Sequence, residues 1–209
     1  MFVGRLAELA MLRAELRVAA AGPARMVVID GPEGIGKTAL IRHVLDEVPQ
    51  VRVLAASGEE SERQLRYGVV RQLVDEVPGH DAWTAGQAVC DLVERLQAGG
   101  PVVVLVDDAQ WADRASLRAL SYALRRMRDG RVLVFIACRD AGDPRLPEGL
   151  RRLMAADGTR RLTLTGLPAS ELARLPGRRA GDARNPAGLV LLEGRPPGDV
   201  PRRRPPETP

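Results

Sequence analysis

Apolar positions in this chain recur with two periods, and the periods alternate along its length. Leu6, Leu9, Leu12 and Leu16 fall three or four residues apart, which predicts a helix over residues 5–18, ended by Gly22-Pro23. Residues 26–30 are a short apolar run of strand length, and 37–48 return to helical spacing before Pro49. Residues 51–56 read as a second buried strand, followed by a polar connection at Gly58-Glu59-Glu60. Two helical stretches are predicted next, over 64–77 and 84–98. Thr84 and Gln87 have the spacing of a capping box at the start of the latter.

The second half repeats the alternation more strongly. Residues 101–106 are almost entirely valine and leucine, as expected of a strand covered on both faces. Asp113 is placed to cap a helix in which Leu117, Leu120, Leu124 and Met127 form one stripe, with Arg114, Arg118, Arg125 and Arg128 on the wet side. Residues 131–137 predict another buried strand, 148–156 a short helix, 161–165 a last strand and 169–175 a final helical turn or two. Five strands alternating with helices predict an α/β fold, a parallel five-stranded sheet sandwiched by helices, over a domain spanning 1–176. From Gly177 the pattern fails: twelve of the remaining 33 residues are Gly or Pro, so 177–209 reads as a disordered tail.

Composition narrows the function classes. The net charge of +4 invites a nucleic-acid reading, but 177–209 hold seven Arg against four acids, leaving 24 basic and 23 acidic residues in 1–176. A near-neutral core with 3% aromatic residues lacks the basic footprint and stacking platforms of a DNA- or RNA-binding surface. No apolar run approaches the roughly 18 to 20 residues of a membrane helix. The start, Met1-Phe2-Val3-Gly4-Arg5, lacks the basic and apolar regions of a secretory signal, so a cytoplasmic location is expected. Cys90 and Cys138 have no Cys or His at metal spacing and read as reduced interior thiols; His43 and His80 read as surface or core residues.

One cation stands apart. The chain has thirty arginines and a single lysine, Lys37, which lies in Gly31-Pro32-Glu33-Gly34-Ile35-Gly36-Lys37-Thr38. That octet fits the phosphate-loop pattern G-x-x-x-x-G-K-[ST] between an apolar strand and an amphipathic helix, the setting the motif requires. Its glycines let successive N–H groups turn inward, the helix adds its positive end, and a slender ammonium fits such a cradle better than a wide guanidinium. The expected fold is therefore of the P-loop NTPase type, with Gly31, Pro32, Glu33, Gly34, Ile35, Gly36, Lys37, Thr38 and Ala39 as the nucleotide-binding segment. Lys37 is expected to reach the terminal phosphates and the Thr38 hydroxyl to bind Mg²⁺.

A second element follows about 70 residues later, where the strand at 102–106 delivers Asp107 and Asp108 at its carboxyl end, the side on which open α/β sheets bind ligands. Asp107 is expected to hold Mg²⁺ through water, and Asp108 to orient or deprotonate an attacking water. Arg139, after the strand at 131–137, is placed to sense a terminal phosphate or to form a surface ion pair. Trp111 reads as packing beside the aspartates, and Trp83 as packing alone.

Taken in order, Phe2-Val3-Gly4-Arg5 with Glu8-Leu9, the octet, Val106-Asp107-Asp108-Ala109-Gln110-Trp111-Ala112-Asp113, and Ala137-Cys138-Arg139 resemble the AAA-type ATPase module of signal-transduction ATPases with numerous domains. The likeness is greatest to modules at the front of large bacterial LuxR-type transcriptional regulators and adenylate-cyclase-like signalling proteins, and covers residues 1–175. It implies an ATP site with Val3, Gly4 and Arg5 near the adenine end, Arg139 as a phosphate sensor, and binding and hydrolysis of ATP used as a switch for assembly and signalling. Such modules usually continue into a helical lid and output domains through which they self-associate or bind a protein partner. Here Arg184-Asn185-Pro186 only faintly matches the lid motif, which fits a truncated copy or a stand-alone module. The expected function is a slowly hydrolysing, Mg-ATP-binding regulatory ATPase core. The alternatives are a non-hydrolysing nucleotide-dependent interaction module and a DNA-associated initiator-like ATPase.

Overall fold

The computed structural model describes residues 4–77, 79 and 81–166. Expectations for Val3, His80, the stretch 169–175, Arg184-Asn185-Pro186 and the tail at 177–209 lie outside those residues.

The elements run α1 (Leu6–Ala21), β1 (Arg25–Asp30), α2 (Lys37–Asp46), β2 (Arg52–Ser57), α3 (Val70–Leu73), α4 (Ala82–Gln97), β3 (Val102–Asp107), α5 (Arg114–Arg126), β4 (Val132–Cys138), α6 (Glu148–Met154) and β5 (Thr159–Thr163). Single 3₁₀ turns at Glu60–Glu62 and Ala109–Trp111 follow β2 and β3. All five strands are parallel, in the order β2-β3-β4-β1-β5. β3 pairs with β4 from Val102 beside Val132 to Val106 beside Ile136, and β4 pairs with β1 from Leu133 beside Arg25 to Cys138 beside Asp30. The carboxyl ends of β1, β3 and β4 therefore share one rim.

β3 and β4 are buried along their whole length, and alternate side chains feed two layers. Val102, Val104, Val106, Val132, Val134 and Ile136 face α3, α4, α5 and α6; Val103, Leu105, Leu133, Phe135 and Ala137 face α1 and α2. Each of these side chains larger than Ala137 contributes about 1.5–3 kcal/mol when fully buried, so the centre of the sheet carries much of the stability. Cys138 is buried and Cys90 partly so, both as free thiols. No described helix is long and apolar enough to cross a membrane.

The edge strands are held differently. The sequence predicts a buried strand over 51–56, but the observed β2 (Arg52–Ser57) is an edge whose one buried side chain is Ala56. At the opposite edge β5 pairs with β1 along its length and is fastened further by charge. Glu15 of α1, 5% exposed, accepts from Arg25 Nε at 2.8 Å and Arg160 Nε at 3.1 Å. Asp30, at the end of β1, accepts from Arg161 and from Thr163 Oγ1 at 2.8 Å. Burial alone would raise the Asp30 carboxyl, but hydrogen bonds from Arg161 and Thr163 and the charge of Arg161 outweigh it and hold the group below its ordinary range.

The predicted helix over 64–77 is instead a series of turns with one short helix, α3. Its amides are claimed from outside. Asp113 accepts from Tyr67 N at 3.0 Å and Val69 N at 3.3 Å, Ser116 Oγ accepts from Val70 N at 3.1 Å, and Tyr67 sits at φ 62°, which breaks a right-handed helix. Asp113 also caps α5 through Ser116 N at 2.8 Å, as expected. The capping box at Thr84 and Gln87 does not form. α4 starts two residues earlier with Asp81 as its cap, accepting from Thr84 N at 2.8 Å, while Gln87 reaches Asp91 and Tyr122.

α4 and α5 cross closely at Gly86, where an added Cβ would lie 2.5 Å from the Ala119 carbonyl oxygen and 2.8 Å from Tyr122 Cδ1. An exposed helical Gly→Ala change gains about 1 kcal/mol, whereas overpacking costs about 1–3 kcal/mol. The clash with backbone should win. Gly86→Ala is expected to lower stability by about 1–2 kcal/mol in urea unfolding, while Gly158→Ala, with nothing within 4 Å, stays within about 0.5 kcal/mol of wild type.

Candidate functional site

The octet forms the connection from β1 to α2. Gly31, Gly34 and Gly36 take φ values of 151°, 73° and 97°, a region that side chains with a Cβ rarely adopt. Gly31 has a second reason to be glycine, since a Cβ there would meet the Leu164 carbonyl oxygen at 2.5 Å. The loop is pinned at its start by Gly31 N donating to Arg139 O at 3.2 Å. At its end Gly36 caps α2 with no side-chain bond, so the helix opens with its N–H groups facing the loop.

Lys37 is 6% exposed and donates from Nζ to Gly31 O at 2.9 Å and Pro32 O at 3.0 Å. An ammonium has three donors, so the same group can brace the loop and still offer a proton to an anion held over it. The next residue reaches the sheet: Thr38 Oγ1 donates to Asp107 Oδ2 at 2.7 Å. Asp107 is 8% exposed, and burial, with the neighbouring Asp108 charge adding to it, pushes its carboxyl above the ordinary range despite the Thr38 hydrogen bond.

Thr38 Oγ1 and Asp107 Oδ2 are hard oxygen donors of the kind Mg²⁺ prefers, side by side at the mouth of the loop. Among the described residues no group of three His, Cys, Asp or Glu is placed to hold a metal. A two-oxygen site suits Mg²⁺, which keeps waters and takes further oxygens from phosphates. The pair fits that ion chemically, because a buried carboxylate with a raised pKa gains from a nearby dication.

Asp108 leaves the strand in the left-handed region, φ 45° and ψ 44°, a conformation rare for a residue with a side chain. Its amide donates to Asp107 Oδ1 at 3.0 Å, and its Oδ1 accepts from Gln110 Nε2 at 2.9 Å. Gln110, 3% exposed, also accepts on Oε1 from Arg139 N at 3.1 Å, so one amide joins the end of β3 to the end of β4. Sequence reasoning gave Gln110 no role; the signal was its place in the Asp107-to-Asp113 stretch, but the partner that explains it is 29 residues away.

Arg139 lies on the same rim. Its guanidinium is paired with Glu33 of the loop and sits 4.9 Å from the centre of the Trp111 ring, while its buried Nε makes no hydrogen bond. Trp111 thus does lie beside the aspartates, and Trp83 is 61% exposed, set edge-on to Tyr122. At the other flank Arg5, 6% exposed and at φ 57°, donates to Ile35 O at 3.3 Å and Thr165 O at 2.8 Å, fastening the Gly4-Arg5 turn against the loop.

In the folded chain Asp107 keeps its proton to higher pH than in the unfolded chain, so its ionisation as pH rises above about 4 subtracts stability. Asp107→Asn removes that penalty and keeps an acceptor for Thr38. The stability of the variant relative to wild type should therefore rise between about pH 4 and the folded-state pKa and then level off. Urea midpoints measured across that range test this, and a difference that does not change with pH would contradict it.

Comparison with known proteins places this geometry. The model of the AAA ATPase domain matches residues 1–136. No curated protein matches the chain. Among solved structures, the fold is similar to the Aeropyrum pernix ORC1 protein in complex with DNA (TM-score 0.61, 18% identity, 83% of this chain and 48% of that one). It is also similar to Cdc6p from Pyrobaculum aerophilum (TM-score 0.57, 17% identity, 82% and 49%) and to Drosophila ORC bound to DNA (TM-score 0.51, 18% identity, 85% and 47%). The chain spans about half the length of these structures. At such identities the likeness is one of fold, that of an α/β P-loop NTPase with a five-stranded parallel sheet flanked by helices. With the loop, the rim carboxylates and a family match over most of the described residues, the chain belongs to the AAA ATPase domain family and carries its nucleotide-binding core.

Proposed function

We propose that this chain binds Mg-ATP and hydrolyses it slowly as the switch of a regulatory ATPase. The observation that carries the reading is the convergence on one rim of Lys37, the Thr38–Asp107 pair and Asp108 fixed by Gln110. In this reading the loop amides from Gly31 to Thr38 and the amino end of α2 receive the phosphates, with Ala39 continuing the contact into the helix and Lys37 meeting the terminal groups. Thr38 and Asp107 would hold Mg²⁺, which supplies charge neutralisation for the crowded phosphate oxygens.

Asp108 would orient the attacking water and accept its proton as the oxygen bonds to the terminal phosphorus and ADP departs. Its strained backbone and its bond to Gln110 aim the carboxylate, and strain held in place by neighbours is common at reacting sites. Arg139 would turn from Glu33 toward the terminal phosphate; its unpaired Nε and the exposed position of Glu33 favour that exchange. Gly4 and Arg5, with Val3 before them, would border the adenine end, since Arg5 is fastened to the loop at Ile35. The regulatory role and the slow rate rest on the resemblance to signalling ATPase modules.

Hydrogen bonds to charged groups are worth about 1.5–3 kcal/mol, so Lys37→Ala should weaken Mg-ATP binding roughly 10- to 150-fold in calorimetry. Unchanged affinity would remove the loop from the proposal. Asp108→Asn should bind Mg-ATP within a few-fold of wild type yet release phosphate at least roughly tenfold more slowly. Binding without measurable turnover in the wild type would instead establish a non-hydrolysing interaction module.

A further inference from the structure

The loop site has a neighbour. A cleft of about 600 Å³ opens between the turn after β2, the amino end of α5 and the segment leading into α6. Four arginines line it, Arg63, Arg114, Arg145 and Arg151, against a single acid, Glu148, which is itself paired with Arg152 outside the cleft. Two of the cations are held in place: Arg145 Nη2 lies 2.6 Å from Asp143 Oδ2, and Arg151 Nε donates to Leu146 O at 3.3 Å. Arg63 and Arg145 also lie 5.6 and 5.8 Å from the centre of the Trp111 ring. Gln110, whose amide holds Asp108, forms part of the same wall.

These cations come from three separate stretches of chain and share a concavity that only the fold creates. Asp143 offsets the charge of Arg145, whereas Arg63, Arg114 and Arg151 face a cleft whose one lining acid is Glu148, so an anion entering it meets a surplus of positive charge. The fork of a guanidinium matches phosphoryl and carboxylate oxygens in pairs; Arg145 uses one edge of its fork on Asp143, which leaves Arg63, Arg114 and Arg151 to meet a ligand. The volume is that of a small-molecule pocket, roughly 300–1,000 Å³. A nucleic-acid backbone would call for an extended basic track, which a near-neutral core does not supply.

We propose that this cleft is a second anion site, built for a small ligand that carries two or more phosphoryl or carboxylate groups. The proposal is independent of what the phosphate loop binds. Occupancy of the cleft would press on the Gln110 wall and so on the setting of Asp108.

The two tryptophans make the test direct. In a Trp83→Phe protein Trp111 is the remaining indole, flanked by arginines of the cleft, and its emission is followed while pyrophosphate or citrate is added without divalent cation. The titrations are repeated with Lys37→Ala, which separates capture by the loop, and with Arg114→Gln plus Arg151→Gln; Arg114 is exposed and Arg151 partly so, and neither change disturbs the core. The expected result is a saturable change that Lys37→Ala leaves within about twofold and the arginine pair weakens by roughly tenfold or more. A response to pyrophosphate alone assigns phosphoryl ligands, and a response to citrate as well assigns polyanions generally. No saturable change with either probe, or one that Lys37→Ala abolishes while the arginine pair leaves it intact, overturns the proposal. So does binding of a short DNA duplex that requires the same arginines while neither small anion binds.

Discussion

A single hydrogen bond, from Thr38 Oγ1 to Asp107 Oδ2 at 2.7 Å, joins the first turn of α2 to the end of β3, and the site depends on it. β1 and β3 are not neighbours; β4 lies between them, and the chain leaving β1 must cross over both to reach β2 at the far edge. In a parallel sheet every such crossover departs from the carboxyl rim, so the start of α2 is carried over the ends of the strands it passes. The Thr38–Asp107 contact fixes where that passage begins. It works because Val102 to Val106 and Val132 to Ile136 keep a strict register, which itself rests on two fully buried strands with apolar side chains on both faces.

Polar groups at the rim form a connected chain. Asp107 accepts from Thr38 and from the Asp108 amide, Gln110 bridges Asp108 to the Arg139 amide, and the Arg139 carbonyl returns to Gly31 N at the start of the loop. Each link satisfies a group that would otherwise be costly to bury, and together they hold β3, β4 and the loop to one geometry. Asp107 is the strained member, a carboxylate kept out of water with another acid beside it. Burying that carboxylate costs stability locally, and a cation at the rim would offset the cost. At the flank of the sheet the opposite design holds, with Asp30 paired to Arg161 and Thr163 and Glu15 to Arg25 and Arg160, contacts that help to fasten β5.

Much of this was legible in the chain. Unbroken valine and leucine runs marked β3 and β4, a single apolar stripe marked α5, and the glycine spacing around Lys37 marked the loop, because each signal is local and repeats with the period of its element. The misreadings share a cause. Residues 64–77 carry helical spacing, yet the amides of Tyr67, Val69 and Val70 are taken by Asp113 and Ser116, more than 40 residues onward. Residues 51–56 look apolar enough to be central, but the place of β2 at the edge follows from strand order, which no stretch of local sequence encodes. Asp81 displaced Thr84 as a cap because the charged side chain one turn earlier reached both the Thr84 amide and its hydroxyl.

By itself the sequence determined which residues could build a phosphate cradle and supply carboxylates, since glycine at a left-handed position and acid after an apolar strand are properties of residue type and spacing. Tertiary structure decided which of them meet. The pairing of Thr38 with Asp107, the Gln110 bridge from Asp108 to Arg139, and the gathering of Arg63, Arg114, Arg145 and Arg151 in one cleft all join residues far apart in the chain. Such contacts exist only once parallel strands have set their carboxyl ends on a common rim, because hydrogen bonds act over about 3 Å and the chain must first be brought that close.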